Sequence, residues 1–188
     1  SNLFKTNLND FMNLVEVFYE ENHYYKAPYF LPYLTGERTP YNNPFLRGSF
    51  HNLDTSIDKK AIFYSIIEGI SFGIKDGYDA VHEVSDKSDK IYLVGGGSKS
   101  IFWGKLISSL LNQPILVGQE SDYGPALGAA RLAMLSTNEY KIEEIITPMK
   151  KINNFEVSKD FSEILNKRYK IWKEIVKSNE SIAENLIK

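Results

Sequence analysis

The chain has 188 residues, 43% of them hydrophobic, 24% charged and 13% aromatic, enough for one domain with a full core and short for two. That composition excludes a disordered chain or a low-complexity fibre. Twenty-two basic against 24 acidic residues give a net charge of −2, which leaves no field to hold a nucleic acid backbone and no basic cluster for a membrane surface.

Residues 8–19 place Phe11, Leu14, Val15 and Phe18 on one helical stripe. Residues 20–27 are polar and aromatic and read as a linker. The run from Pro28 to Leu34 is extended, and its two prolines allow an edge strand at best. Residues 35–49 form a long irregular loop, and Phe50 and Leu53 mark a short strand. A helix is expected from near Thr55, with Asp58 three residues on as a capping-box partner. Ile62, Ile66, Ile67, Ile70, Ile74, Tyr78 and Val81 form its apolar positions. Gly69, Gly73 and Gly77 recur every four residues along it. Each costs about 1 kcal/mol against alanine, so the stripe predicts a close helix-to-backbone contact.

A strand is predicted over Lys90–Val94, then Gly95-Gly96-Gly97, then Ser98-Lys99-Ser100, then a helix carrying Phe102, Trp103, Leu106, Ile107, Leu110 and Leu111. Pro114–Val117 reads as another strand. Asp122 can cap the next helix, with Pro125 in its first turn. That helix is built of small residues: Gly124, Ala126, Gly128, Ala129, Ala130 and Ala133. Residues 137–157 read as irregular and polar. A last amphipathic helix carries Phe161, Ile164, Leu165, Tyr169, Trp172 and Val176 on one side. Strands alternating with helices predict an α/β domain with a partly parallel sheet and right-handed crossovers.

The strongest local signal for chemistry is strand, three glycines, serines, helix over 91–111. Glycine lets main-chain N–H groups approach a ligand closely, and a helix N-terminus attracts phosphate oxygens. The triplet is neither a Rossmann fingerprint nor a Walker loop. By itself it reads either as a nucleotide contact or as a tight crossover turn. Glu37 beside Arg38 reads as a general acid or base, or as half of a local salt bridge in an exposed loop. Glu37 and Glu68 could be imagined as a glycosidase pair, although nothing fixes their separation. His23, His51 and His82 lack metal-ligand spacing, and Trp103 and Trp172 sit on apolar faces. With no cysteine, disulfides, thiolate metal sites and a cysteine nucleophile are excluded, which fits a cytoplasmic compartment. No apolar run approaches the roughly 18 residues of a spanning helix, and no signal-peptide pattern is present. The start at Ser1-Asn2 points to a cloning scar or a cut fragment.

Three blocks carry a family resemblance. The run from Tyr29 to Pro44, containing Thr35-Gly36-Glu37-Arg38-Thr39-Pro40, followed by Arg47-Gly48, closely resembles xylulose kinases of the FGGY carbohydrate kinase family. So do Val94-Gly95-Gly96-Gly97-Ser98-Lys99-Ser100 and the run from Tyr123 to Ala133. The blocks stand in family order and spacing, and the resemblance covers residues 28–135 well. Departures are Asn52, where relatives carry glycine, Ala61, where they carry a polar residue, Ile101, where some carry an adenine-contacting asparagine, and Val157, where proline is frequent.

The resemblance implies an actin-like, ribonuclease H-like kinase with ATP in the cleft between two domains. Residues 28–188 look like the C-terminal, nucleotide-side domain, preceded by an interdomain helix and linker over 1–27. It implies ATP and magnesium as cofactors and D-xylulose as the sugar, bound through an N-terminal domain that is not in this sequence. Gly95, Gly96 and Gly97 would lie against the ribose and α-phosphate. Ser98 and Ser100 would cap the helix start or bond the nucleotide. No catalytic residue and no metal ligand falls within the chain, so the 188 residues alone are expected to be catalytically silent. A homodimer is compatible with this reading; nucleic acid and membrane partners are not expected. Rival readings are a kinase of the same family for ribulose, fuculose, gluconate or glycerol, and a non-catalytic module of the kinase fold.

Overall fold

Asn7 opens the first helix: its Oδ1 accepts the Asp10 N–H at 2.9 Å, and α1 runs over Leu8–Glu20 with Val15 and Phe18 buried. The computed structural model describes residues 6–86, 88, 90–119, 121–137 (apart from the Asp122 side chain), 139–146 and 150–185. The expected linker after α1 is tighter than its composition suggests. It holds a 3-10 turn over Tyr24–Lys26, and Tyr24 and Ala27 are buried.

Strand β1 (Tyr29–Leu31) is buried on every residue. It pairs antiparallel with β2 (Ser49–His51), which faces solvent more. Leu53, expected in that strand, lies beyond it and is exposed. Asn52, next after β2, has φ 62°, in the left-handed region that glycine and asparagine tolerate best. That explains why a residue other than glycine can stand there only if it is of this kind.

Helix α2 spans Lys59–His82. Its start differs from expectation: Asp58 is itself the N-cap, accepting the Ala61 N–H at 2.9 Å. The preceding turn is closed by Asp54, whose Oδ1 takes the Ser56 N–H at 2.7 Å. A cap consumes the side chain that a box partner would have used.

The glycine stripe on α2 divides three ways. A Cβ at Gly69 would stand 2.2 Å from the Phe30 carbonyl oxygen of β1. The expected close approach of helix to backbone is therefore real at that position. A Cβ at Gly73 would make an ordinary contact with Pro32 at 3.9 Å, and at Gly77 it would meet nothing within 4 Å. Helix α6 (Lys159–Asn185) completes this part. Its Trp172 is fully buried and donates Nε1–H to the Phe30 carbonyl at 2.9 Å.

Strand β3 (Ile91–Leu93) pairs parallel with β4 (Ile115–Gly118), and helix α3 (Ile101–Leu111) connects them. Asn112 ends α3 in the left-handed conformation. Helix α4 covers Gly124–Ser136, with Pro125 in its first turn, and α5 covers Ile142–Ile145. Tyr123 occupies the N-cap of α4 without a side-chain cap bond; the Asp122 side chain, the expected cap, lies outside the described residues. The segment expected to be irregular contains strand β5 (Lys151–Phe155), antiparallel to β4 with a bulge at Val117/Gly118. Ile107, Ile115, Val117 and Phe155 form the core here, with Ile91, Leu93, Trp103 and Leu111 packed on it. A Cβ at Gly104 would strike the Phe155 ring at 2.2 Å, so α3 lies close on β5.

The chain forms two units, Ser1–Lys87 with Lys159–Lys188, and Ser88–Ser158. The first holds the antiparallel β1–β2 pair with α1, α2 and α6. The second holds the mixed sheet β3–β4–β5 with α3, α4 and α5. The α/β class with a mixed sheet and flanking helices is as expected. No described helix is long and apolar enough to cross a membrane.

Candidate functional site

The turn from β3 into α3 keeps three glycines for three different reasons. Gly95 has φ 86° and ψ −176°, a region essentially reserved for glycine that costs a side-chain-bearing residue about 1–3 kcal/mol. A Cβ at Gly96 would meet nothing within 4 Å, so that flank is open. A Cβ at Gly97 would meet the Trp103 ring at 2.6 Å. Gly97 thus makes room for packing, Gly95 supplies the positive-φ turn of the backbone, and Gly96 leaves main chain open on an accessible surface.

Residues Gly96–Lys99 form a 3-10 turn, whose first N–H groups lack partners within the turn. The Ser98 N–H donates to the Gly95 carbonyl at 3.0 Å and the Ser100 N–H to the Gly97 carbonyl at 3.1 Å. The Ser98 hydroxyl is buried and donates to the Gly95 carbonyl at 2.7 Å, with Ser121 Oγ at 3.1 Å. The Gly95 N–H in turn donates to the Ser121 carbonyl at 2.8 Å. Ser121 was not singled out by sequence reading. Its signal, a lone serine between a strand and a helix, carries no pattern. Ser100 caps α3, its Oγ accepting the Trp103 N–H at 3.1 Å.

The five sequence-predicted residues therefore form one continuous turn. Both hydroxyls serve the turn itself, and Gly96 supplies the approachable surface. Ile101, the first residue of α3, is 57% exposed and offers an aliphatic patch beside it. Helix α4 carries no buried residue among those described. A Cβ at Gly124 would meet the Val94 side chain at 3.4 Å, and one at Gly128 would meet nothing within 4 Å. Its run of small residues thus leaves an open face rather than a packed one.

The other candidates resolve differently. Glu37 does not pair with Arg38. Its Oε1 accepts the main-chain N–H groups of Arg38 at 2.8 Å and Thr39 at 3.0 Å, because a carboxylate one residue away reaches the backbone before it reaches a neighbouring guanidinium. Glu68 is buried and bound by Arg168, Nη2 to Oε2 at 2.6 Å and Nε to Oε1 at 2.7 Å. Burial pushes its carboxyl upward, against the pull of that guanidinium. With both oxygens engaged it is a structural ion and no glycosidase partner of Glu37. His51 shares a hydrogen bond with Ser49 Oγ at 2.8 Å, and His82 Nδ1 lies 2.8 Å from the Tyr78 carbonyl. Among the described residues no group of three or more His, Cys, Asp or Glu could hold a metal ion.

Residues 12–137, about two thirds of the chain, match the FGGY family of carbohydrate kinases, C-terminal domain. The chain is 39% identical over 113 residues to a xylulose kinase of Escherichia coli (strain K12), covering 60% of this chain and 23% of that protein. Among solved structures it is similar to a xyloylose kinase from Brucella ovis, with TM-score 0.75 and 29% identity, over 90% of this chain and 38% of that one. It is also similar to a gluconate kinase from Lactobacillus acidophilus, with TM-score 0.74 and 27% identity, over 93% of this chain and 35% of that one. The chain spans about a quarter to a third of the length of the curated relatives it matches. Matched across two thirds of its length by their C-terminal domain and similar in fold to their solved structures, the chain belongs to the FGGY family of carbohydrate kinases.

Proposed function

We propose that this chain is the nucleotide-side part of an ATP-dependent carbohydrate kinase that phosphorylates D-xylulose to D-xylulose 5-phosphate. In this reading residues 28–188 are the C-terminal domain, and residues 1–27 lead in from the interdomain region. The observation that carries it is the open flank at Gly96, accessible to a ligand between the end of a strand and the start of a helix. Gly95, Gly96 and Gly97 lie along the ribose and α-phosphate. Ser98 and Ser100 hold the turn in shape for them. The adenine rests on apolar surface at Ile101, which has no hydrogen bond to offer it.

One helix terminus supplies about 0.3–1 kcal/mol towards an anion at an exposed site, and 1.4 kcal/mol is a factor of ten in affinity. The turn alone therefore binds nucleotide weakly. A partner lobe supplies the remaining phosphate contacts, the sugar contacts and the group that takes the proton from the attacking hydroxyl. Magnesium, which neutralises transferring phosphoryl groups, is held there and by the nucleotide. The protein works in the cytoplasm, and self-association as a homodimer is compatible with this reading.

The 39% identity to a xylulose kinase favours D-xylulose. The similarity to a gluconate kinase supports a second reading, a sugar acid as the substrate. Assay of the intact protein with ATP and magnesium against D-xylulose, ribulose, fuculose, gluconate and glycerol decides between them. Preference for D-xylulose supports the reading, and preference for another sugar replaces it. Absence of phosphoryl transfer with all of them leaves the non-catalytic module standing.

A further inference from the structure

The loop between β1 and β2 is polar and mostly exposed, yet its shape is fixed at several points. Glu37 and Asn43 exchange main-chain hydrogen bonds at 2.9 and 2.8 Å, and Asn42 N–H donates to the Arg38 carbonyl at 2.9 Å. Gly36, at φ 86°, lets the backbone of Pro44 come so close that a Cβ would stand 2.7 Å away. The tip is tied inward by Tyr41, whose hydroxyl donates to Asp76 on α2. Asp76 is 3% exposed. It also receives the Tyr169 hydroxyl and Lys173 Nζ, the latter at 2.8 Å, both from α6. Lys173 Nζ closes the knot on the Tyr41 oxygen at 3.1 Å.

The outer face of this loop is a concavity of about 370 Å³ lined by Thr35, Gly36, Glu37, Arg38, Asn42 and Pro44. Glu37 turns one carboxylate oxygen to the main-chain N–H groups of Arg38 and Thr39. Among the described residues no carboxylate pairs with the Arg38 guanidinium. An arginine fork on a fixed loop, beside an amide and a hydroxyl, matches the geometry of phosphate oxygens.

We propose that this concavity is a second ligand site that takes a phosphoryl group on Arg38, and that Asp76 acts through Tyr41 as its positioning residue. The site lies wholly on the β1–β2 loop and shares no residue with the triglycine turn, so it stands or falls separately from the nucleotide reading.

The test is titration of the chain with inorganic phosphate, followed by the amide resonances of Gly36, Arg38 and Asn42. A saturable shift is expected. Arg38→Ala weakens it at least about tenfold, a loss of about 1.4 kcal/mol, and Arg38→Lys restores part of it, since the point charge remains but the fork does not. Tyr41→Phe weakens it several-fold by freeing the loop. Tyr169→Phe, which removes the same kind of bond to Asp76 without touching the loop, leaves it as in wild type. Displacement of phosphate by a pentulose phosphate identifies a sugar ester as the source of the group, and displacement by ADP identifies a nucleotide. No saturable shift, or one that survives Arg38→Ala, overturns the site. Equal losses in Tyr41→Phe and Tyr169→Phe overturn the positioning role. Arg38 is exposed and outside the core, so its variants report on the site even where the knot variants lose stability. Gly96→Val, which reads the nucleotide turn, leaves this phosphate response unchanged.

Discussion

Arg168 and Glu68, one hundred residues apart in sequence, form a buried two-pronged ion pair with nitrogen–oxygen distances of 2.6 and 2.7 Å. Arg168 also donates to the carbonyls of Tyr25 at 3.1 Å and Ala27 at 2.9 Å. One guanidinium thus ties α6 to α2 and to the chain entering β1. Burial alone would lower the Arg168 guanidinium, but the adjacent carboxylate outweighs it and holds it above its ordinary value. Removing one partner leaves the other charged and buried, which costs about 3–5 kcal/mol. Arg168→Met is therefore expected to lower the denaturation free energy by that amount. The double change Glu68→Leu with Arg168→Met is expected to recover a good part of it. A double variant as unstable as the single one would show that the carbonyl contacts, and not the pair, carry the effect.

Gly69 and Gly77 lie on the same helix and predict opposite outcomes. At Gly69 a methyl group collides with the Phe30 carbonyl, a main-chain atom of a buried strand that cannot step aside cheaply. Gly69→Ala is expected to destabilise by about 1–3 kcal/mol. At Gly77 the same methyl group enters open space, and Gly77→Ala gains about 0.5–1 kcal/mol from helix propensity. Urea midpoints of the two variants measure both, and midpoints moving in the same direction would contradict the packing described.

The tyrosines around Asp76 make stability fall at alkaline pH. Burial, and then the hydrogen bond to Asp76, push the Tyr41 and Tyr169 hydroxyls far above their ordinary value of 10.0. The unfolded chain therefore releases these protons first. The stability they contribute is complete below pH 10 and is lost as the pH rises beyond it. Each such group adds a slope of about 1.4 kcal/mol per pH unit. Between pH 10 and 11 the wild type is expected to lose stability more steeply than Tyr169→Phe, by about that slope. Parallel curves from denaturant titrations across this range would contradict it.

The elements with a strong period were legible from sequence. The Phe11–Phe18 and Phe161–Val176 stripes each became a helix, because burial of a 3.6-residue stripe dominates local preference. Helix α2 also formed, but it turns a different face inward. Of its expected apolar positions only Ile67 is buried, Ile74 and Val81 are exposed, and Phe63, Tyr64 and Phe72 fill the core instead. Strand β5 was not legible. Its residues Lys151 and Ile152 are exposed, and only Phe155 reaches the core, so pairing with β4 rather than an apolar pattern makes it a strand. The start of α2 was misplaced by four residues because Thr55 and Asp58 are both good caps, and only tertiary contacts choose between them. In the candidate site the glycine triplet was visible as a run, but its division of labour was not. The φ of Gly95 and the ring of Trp103 against Gly97 exist only in three dimensions. Ser121 and the Asp76 knot join residues from distant parts of the chain, which no local pattern encodes.

Calorimetric titration of the intact protein with ADP, wild type against Gly96→Val, bears most directly on the nucleotide assignment. The valine side chain leaves the open flank of the turn filled and the fold undisturbed, since a Cβ there meets nothing of the protein. The account predicts an unchanged unfolding transition together with loss of ADP binding. ADP affinity equal to that of the wild type would contradict it and place the nucleotide away from the triglycine turn.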